Sequence, residues 1–213
     1  MKKKDLTSFR KEYNLTSLDT ADVPHKPIEL FNGWLDEAIA RKIPEPNAMT
    51  LATVTPGGKA AARVVLLKEV IDDRFVFYTN YNSRKGIELQ ANPHAALVFL
   101  WLELQRQVRV EGKVEKVDES VSDEYYASRP INSRIGAIVS PQSQVIESRE
   151  ELEKAFKILK NNNDTHLHRP EHWGGYQLIP DLVEFWQGRE SRLHDRILYE
   201  KTGSGWTIKR LAP

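Results

Sequence analysis

The sequence predicts a mainly β fold with flanking helices, in which an antiparallel sheet closes or nearly closes into a barrel. From Met49 onward, apolar residues recur with the period of two that is typical of strands. Clusters of Gly, Pro, Asn and Asp separate these runs, as they do in tight turns. Strands joined by tight turns pair antiparallel, whereas a doubly wound sheet needs a helical crossover between successive strands.

The first regular element is predicted to be a helix that begins at Pro27. Proline is favoured at the first helical position, and an amphipathic stripe follows at the helical spacing of three and four. The stripe consists of Leu30, Phe31, Trp34, Leu35, Ala38 and Ile39. Residues 1–26 are polar and irregular, so we expect a flexible N-terminal arm before a single domain over residues 27–213.

Five strands are expected next, in MTLATV, AAARVVLLKEV, FVFYTN, AALVFLWL and QVRVEGKVEKV. The nearly continuous apolar run of the fourth predicts burial on both faces. The fifth alternates, which places Val108, Val110 and Val114 on one face. Strands return in WGGYQLIP, DLVEFWQG, SRLHDRILYE and GWTIKRLAP.

Three more helices are predicted between and after these strands. SRKGIELQANP ends at Asn92, and DESVSDEYYASRP ends before Pro130. SREELEKAFKIL opens with Ser148 and Glu151 at the spacing of a capping box.

Composition excludes several classes of protein. Lys and Arg number 31 and Asp and Glu 30, so a net charge of +1 gives no global reason to expect nucleic acid or an anionic membrane. The absence of cysteine excludes disulfides, thiolate metal sites and cysteine nucleophiles. The basic N-terminus is followed by no apolar run, and no stretch suits a bilayer, so we expect a cytoplasmic protein. His166, His168 and His172 lie in a loop-like run without an obvious acidic partner, and we expect no metal there.

Two basic segments are candidates for binding an anion. In RVVLLK, Arg63 and Lys68 point to opposite faces of a regular strand, so they serve one ligand only if the strand bends or the ligand wraps its end. In TNYNSRKG, Ser83 is a natural N-cap, yet Arg84 and Lys85 occupy the first helical turn, where the macrodipole disfavours positive charge. A bound phosphate would explain this arrangement. The alternatives are strand-end cations and a solvated basic turn.

Two further segments combine aromatic and polar side chains. On a helix continuing past Pro130, the Tyr125, Arg129 and Ser133 side chains would line one side and suit a phosphorylated ring; a helix end with a buried tyrosine is the alternative. FWQGRESRLHDR, if extended, places Arg192, His194 and Arg196 on one face behind the flat ring of Trp186. A surface strand whose cations pair with acidic neighbours is the alternative there.

These segments resemble the pyridoxamine (pyridoxine) 5′-phosphate oxidase family. The similarity covers nearly the whole chain, because FRKEY, PNAM, RVVLLK, FYTNYNSRKG, RQVRVEG, YYASRP, IGAIVSPQS, WGGY, FWQGRESRLHDR and RLAP occur in the family's order. The resemblance implies an FMN-binding split barrel that works as a homodimer, with FMN in clefts between the two subunits.

The resemblance also implies roles for particular residues. Implied FMN contacts are Arg63, Val64, Val65, Leu66, Leu67, Lys68, Tyr78, Thr79, Arg84, Lys85, Gln107, Gln142, Ser143, Trp186 and Arg196. Implied substrate contacts are Arg10, Lys11, Glu12, Tyr13, Lys68, Tyr125, Arg129, Ser133, Arg192, Leu193 and His194. Arg192 and His194 are implied to be catalytic. Glu45 stands where the family is expected more often to have Asp.

The implied reaction belongs to vitamin B6 metabolism. Pyridoxamine or pyridoxine 5′-phosphate would be oxidised by O₂ to pyridoxal 5′-phosphate, with release of H₂O₂ and, from the amine, ammonia. One alternative is a split-barrel protein that binds a flavin, a deazaflavin or haem and has another substrate or no catalysis. A second alternative is an anion-binding interaction module.

Overall fold

The computed structural model describes residues 6, 8, 12–161, 167–203 and 205–213, so the predictions for Arg10, Lys11 and His166 lie outside the described residues. Its helices are α1 (Pro27–Ala40), α2 (Arg84–Ala91), α3 (Glu119–Ser128), α4 (Ile131–Val139) and α5 (Arg149–Asn161). Its strands are β1 (Ala48–Val54), β2 (Ala60–Leu66), β3 (Glu69–Ile71), β4 (Arg74–Asn80), β5 (His94–Trp101), β6 (Arg106–Lys116), β7 (Trp173–Gln187), β8 (Asp195–Thr202) and β9 (Gly205–Leu211). Short 3-10 helices span Leu102–Leu104 and Glu190–Arg192.

The strands form one sheet in the order β2-β1-β5-β6-β7-β4-β3, and β8 pairs with both β7 and β9. The pairings β1–β2, β3–β4, β4–β7, β7–β8 and β8–β9 are all antiparallel. The predicted mainly antiparallel β fold with helices is therefore confirmed.

The chain divides into two compact units. The first unit comprises Met1–Pro46, Val98–Val110 and Asp181–Pro213; the second comprises Asn47–Leu97 and Glu111–Pro180. The single domain over residues 27–213 and the flexibility of the arm stay predictions. Within the first unit, the described part of the arm contacts the C-terminal segment, since the Leu18 backbone N–H donates to Asp195 Oδ2 at 3.0 Å.

The core of the first unit is built on α1. Phe31 and Trp34 are buried on the predicted stripe, with centroid distances of 4.9 Å from Phe31 to Phe99 and 5.2 Å from Trp34 to Phe185. Burial of each such ring stabilises the fold by about 1.5–3 kcal/mol. These contacts hold α1 against β5 and β7, and β7 leads into the segment FWQGRESRLHDR.

The core of the second unit explains where its polar residues lie. Phe75 and Phe77 of β4 are fully buried, and the strand pairs with β7 along its length up to its end at Asn80. Helix α2 starts directly afterwards, capped by Ser83, whose Oγ accepts from the Gly86 N–H at 3.4 Å. A Cβ at Gly86 would lie 2.0 Å from the Tyr81 carbonyl oxygen, so the close start of α2 requires glycine.

Among the five strands predicted from Met49 to Val117, two predictions need correction. AAARVVLLKEV is not one strand: β2 ends at Leu66, the Leu67 N–H donates to Asn47 O and the Lys68 N–H donates to Val76 O, so the chain bends before β3. The prediction that the fourth strand is buried on both faces is also wrong, because Leu100 is 55% exposed. In β6, by contrast, Val108, Val110 and Val114 are all buried, which agrees with their predicted place on one face.

Candidate functional site

The second unit carries a cation cluster, formed by Arg63 of β2, Arg84 and Lys85 of α2, and the buried carboxylate of Glu88. Arg63 Nη2 donates to Glu88 Oε2 at 2.6 Å, and Arg84 Nε donates to Glu88 Oε1 at 2.9 Å. Thr53 Oγ1 donates to Glu88 Oε2 at 2.6 Å. Burial raises the pKa of Glu88, but these hydrogen bonds outweigh it and leave the pKa below its ordinary value. Glu88 is therefore ionised, and three cations face one buried anion.

Lys85 is surrounded by neutral oxygen atoms. Its Nζ donates to Gln142 Oε1 at 2.7 Å, Thr79 Oγ1 at 3.0 Å and Ser83 Oγ at 3.2 Å. Burial, and then the charge of Arg63, lower the pKa of Lys85 to about 8, although Glu88 opposes this. An anion bound here would restore the lost solvation and neutralise the excess positive charge. The site therefore suits a phosphate.

A second set of side chains in this unit forms an aromatic stack of Tyr78, Tyr125 and Trp173. Tyr78 and Tyr125 stack with centroids 3.8 Å apart, and the Arg129 guanidinium lies over Trp173 at 4.5 Å. The buried atoms Tyr78 Oη and Arg129 Nη1 have no hydrogen-bond partner among the described residues. Unpaired buried donors are costly, so they mark a place where a ligand can supply acceptors.

The helix ends before Pro130, as predicted, so a single helix does not carry Tyr125, Arg129 and Ser133 on one side. Helix α3 ends at Ser128, Arg129 has extended backbone angles, and α4 begins at Ile131, because proline disfavours helical angles in the preceding residue. Tyr125 and Arg129 are still brought together by Trp173. Ser133 lies in the first turn of α4, where its N–H donates to Pro130 O at 2.8 Å.

The first unit carries a ring cluster of Tyr13, Trp186 and His194. Trp186 and His194 have centroids 4.6 Å apart, and Tyr13 meets each ring edge-on at 5.9 Å. His194 Nδ1 accepts from the Arg189 backbone N–H at 3.1 Å. In the neutral form of this imidazole the hydrogen therefore lies on Nε2, which can donate to a ligand.

The premise that Arg192, His194 and Arg196 share the face of an extended strand is wrong. Residues Glu190–Arg192 form a 3-10 turn, Ser191 and Arg192 have φ values of 54° and 61°, and β8 begins only at Asp195. Arg192 is exposed, whereas Arg196 Nε donates to the buried Glu184 at 2.8 Å. The three side chains thus have separate environments.

The remaining implied cofactor contacts fall into two groups. In the second unit, Leu67 is buried, Val65 and Leu66 are half-buried, and Val64, Lys68, Gln142 and Ser143 are exposed. In the first unit, Gln107 is half-buried on β6. Of the other implied substrate contacts, Glu12 and Leu193 are exposed in the first unit. Glu45 is exposed and has a φ of 44°.

Sequence reasoning missed three side chains that organise these sets: Glu88, Trp173 and Glu184. The spacing of four between Arg84 and Glu88 is a signal that could have found the first. Trp173 and Glu184 contact residues distant in sequence, so local spacing held no comparable signal for them.

No helix within the described ranges is long and apolar enough to cross a membrane.

Comparison with known proteins gives consistent matches. Residues 35–161 match the family model described as pyridoxamine 5′-phosphate oxidase, and residues 173–213 match that of the pyridoxine 5′-phosphate oxidase C-terminal dimerisation region. A pyridoxine/pyridoxamine 5′-phosphate oxidase of Burkholderia lata is 54% identical over 211 residues, covering 98% of this chain and 99% of the relative. The corresponding protein of Paraburkholderia phytofirmans is 53% identical over 210 residues, with the same coverage.

Two solved structures are also similar. PhzG from Burkholderia lata, solved in complex with tetrahydrophenazine-1-carboxylic acid, has a TM-score of 0.89 and 32% identity, covering 95% of this chain and all (100%) of the other. A pyridoxamine 5′-phosphate oxidase-related, FMN-binding protein of Nostoc punctiforme has a TM-score of 0.73 and 19% identity, covering 90% and 100%. The latter likeness shows the fold alone, and it confirms the predicted split barrel with flanking helices.

Proposed function

Because this chain belongs to the pyridoxamine 5′-phosphate oxidase family of oxidoreductases, we propose that it is the FMN-dependent oxidase of pyridoxamine or pyridoxine 5′-phosphate. The products are pyridoxal 5′-phosphate, H₂O₂ and, from the amine, ammonia. The observation that carries the proposal is that the second unit holds two distinct sets of anion-seeking donors. One is centred on Lys85 and the other on Arg129. FMN and the substrate each bear a phosphate.

The cation cluster fits the FMN phosphate. Lys85 is already held by three neutral acceptors, and Arg63 lies near enough to lower its pKa, so a dianion would be stabilised by both cations. Arg84 is 65% exposed at its side chain and can turn towards a ligand while Glu88 anchors its Nε. When bound, FMN would accept a hydride from the substrate and pass the two electrons on to O₂, which gives H₂O₂.

The aromatic stack fits the substrate phosphate. Arg129 Nη1 and Tyr78 Oη are buried donors without a partner among the described residues, and Tyr125 lies against Tyr78. In the proposal, Arg129, Tyr125, Ser133 and Lys68 hold the phosphate and leave the pyridine ring free. These residues bind and orient the substrate, which is the protein's main contribution to such a reaction.

The first unit supplies the groups nearest the chemistry in the proposal. His194 Nε2–H donates to the polar substituent of the substrate, and Arg192, exposed on its turn, orients the ring and stabilises developing negative charge. Trp186 and Arg196 serve the flavin. Tyr13 packs edge-on against Trp186 and His194, so the arm helps exclude water from this segment.

We further propose a cytoplasmic homodimer, in which each FMN takes its phosphate contacts from one subunit and Trp186 and Arg196 from the other. The match of residues 173–213 to a dimerisation region supports this. Light scattering of the purified protein should give twice the 24.5 kDa chain mass.

A second candidate is an FMN-dependent oxidase of a phenazine precursor. It is favoured by the similarity to PhzG, whose structure holds tetrahydrophenazine-1-carboxylic acid. That ligand has no phosphate, so it gives no purpose to the buried donors at Arg129 and Tyr78. We therefore expect the phosphorylated substrates to be preferred.

The test starts from purified protein titrated with FMN. It should acquire the flavin absorbance and then, with pyridoxine 5′-phosphate in air, form pyridoxal 5′-phosphate and H₂O₂ in equal amounts. Turnover of tetrahydrophenazine-1-carboxylic acid with no turnover of either B6 substrate would favour the second candidate. Absence of flavin binding would contradict both.

A further inference from the structure

Glu88 is the most enclosed charged group in the cation cluster. Unlike Arg63, Arg84 and Lys85, it is not assigned a contact with FMN. Its side chain is 2% exposed, yet it accepts three hydrogen bonds, from Thr53, Arg63 and Arg84. A buried carboxylate is stable only when it is paired, and here it is paired on both oxygen atoms. Its two cationic partners come from different elements, β2 and α2.

Each contact restricts a guanidinium that is assigned to the flavin. Arg63 is held from two sides, because Nη2 donates to Glu88 while Nη1 donates to Leu51 O at 3.3 Å and to Thr53 Oγ1. Arg84 is held at Nε, and within the described part of the chain its other N–H groups have no hydrogen-bond partner. Glu88 thereby fixes the distance between β2 and the first turn of α2 at the phosphate site.

We propose that Glu88 is a positioning residue for the FMN phosphate, which fixes Arg63 and Arg84. This inference rests on the proposed FMN dependence. The residue acts through its neighbours and does not contact the ligand. Without its charge, three cations would repel one another, and Lys85 would lose an acidic group that raises its pKa.

Glu88→Gln is the direct test, because it keeps the shape and removes the charge. An amide NH₂ would face one of the guanidinium donors, so one arginine must turn away. The dissociation constant of FMN should rise about tenfold, the size expected for losing one charge-assisted hydrogen bond. The dissociation constant of riboflavin, which has no phosphate, should change less than about twofold. Both are measured by quenching of flavin fluorescence.

Glu88→Asp separates charge from reach, and it serves if the glutamine variant does not fold. The charge remains, but the side chain is one methylene shorter and cannot hold both guanidiniums. FMN binding should weaken by a smaller factor. The pH at which FMN affinity falls should stay near that of the wild type in Glu88→Asp and move lower in Glu88→Gln, because only the latter removes the charge that supports Lys85.

Glu37→Gln is the matched control. Glu37 is paired with Arg106 at 2.5 Å and with Arg41 at 2.9 Å, in the first unit and among none of the implied cofactor contacts. It should lower the midpoint of thermal unfolding and leave the affinities for FMN and riboflavin unchanged. Equal losses of FMN and riboflavin affinity in Glu88→Gln, or no loss of either, would overturn the positioning role. A wild-type protein that binds neither flavin would overturn the proposed function itself and the role with it.

Discussion

Glu184 holds Arg196 through a hydrogen bond of 2.8 Å from the arginine Nε to the carboxylate Oε1. The other oxygen, Oε2, accepts from Arg109 Nη2 at 2.6 Å, and the Glu184 residue is only 3% exposed. Burial raises the pKa of Glu184, but the two guanidiniums outweigh this and keep it below its ordinary value. A single buried charge thus supports one arginine of β6 and one of β8.

Replacing Glu184 by Ala should destabilise the fold strongly. It removes the buried anion that Arg196 and Arg109 share, and we expect a loss of about 3 kcal/mol in the free energy of unfolding. Urea denaturation measures this. Glu200→Ala is the control, since Glu200 pairs with Lys209 at the surface and should cost less than about 1 kcal/mol. Similar losses of unfolding free energy in the two variants would contradict the stabilising role of the buried Glu184 carboxylate.

Acid should remove the same stabilisation. The folded-state pKa of Glu184 lies below its ordinary value of 4.5, so its contribution is complete above that pH and is lost as the pH falls through the folded-state pKa. Between about pH 5 and pH 3, the unfolding free energy of the wild type should fall more steeply than that of Glu184→Gln. Parallel pH profiles would show that Glu184 is not the titrating group.

Alkaline pH should weaken FMN binding through Lys85. Burial, and then Arg63, lower the pKa of Lys85 to about 8, so its charge is lost as the pH rises through that value. The dissociation constant of FMN should rise about tenfold from pH 7 to pH 9 if the charged form is required. Lys85→Met should bind weakly at both pH values, whereas Lys85→Arg should remove the dependence. Riboflavin, titrated in parallel, should show none.

Arg84 and Arg192 should separate binding of the flavin from turnover. Arg84→Ala loses a cation beside Lys85 and should raise the dissociation constant of FMN several-fold. Arg192→Ala should retain FMN and lower kcat by about 10²-fold or more, the range for removing one group that stabilises developing charge. Absorbance of bound flavin and initial rates at saturating FMN measure the two effects. Equal loss of flavin in both variants would contradict this division of roles.

Gly188→Ala should disturb the arm. A Cβ at Gly188 would lie 2.8 Å from Tyr13 Cγ and 3.1 Å from Gln105 Cβ. Tyr13 would be pushed from Trp186 and His194, and the KM for the substrate should rise. Gly33→Ala is the control, because nothing lies within 4 Å of a Cβ there and the site is inside α1. That variant should be as active as the wild type and slightly more stable.

The sequence was sufficient for elements whose pattern is local. The stripe through Phe31 and Trp34 and the alternation through Val108 and Val110 each repeat at the period of their backbone, so α1 and β6 could be predicted. The cations of α2 were also visible, since Arg84 and Lys85 stand in a first helical turn, where the macrodipole disfavours positive charge.

Residues joined over long distances could not be found in this way. Arg63 and Glu88 are 25 positions apart, and nothing near either one signals the contact. The premise of an extended chain at Arg192 failed for a different reason. Alternation of side chains holds only while the backbone stays extended, and the left-handed angle at Ser191 is not encoded by a glycine or asparagine.

That turn stores backbone strain, which has a consequence for stability. Ser191 and Arg192 both occupy the left-handed region, at a cost of about 1–3 kcal/mol each that the surrounding contacts must offset. Glycine at position 191 would relieve the strain, yet it would let the Arg192 guanidinium sample many directions. Ser191→Gly should therefore raise the midpoint of thermal unfolding and, if Arg192 acts as proposed, lower turnover, so that stability and activity oppose each other at this position.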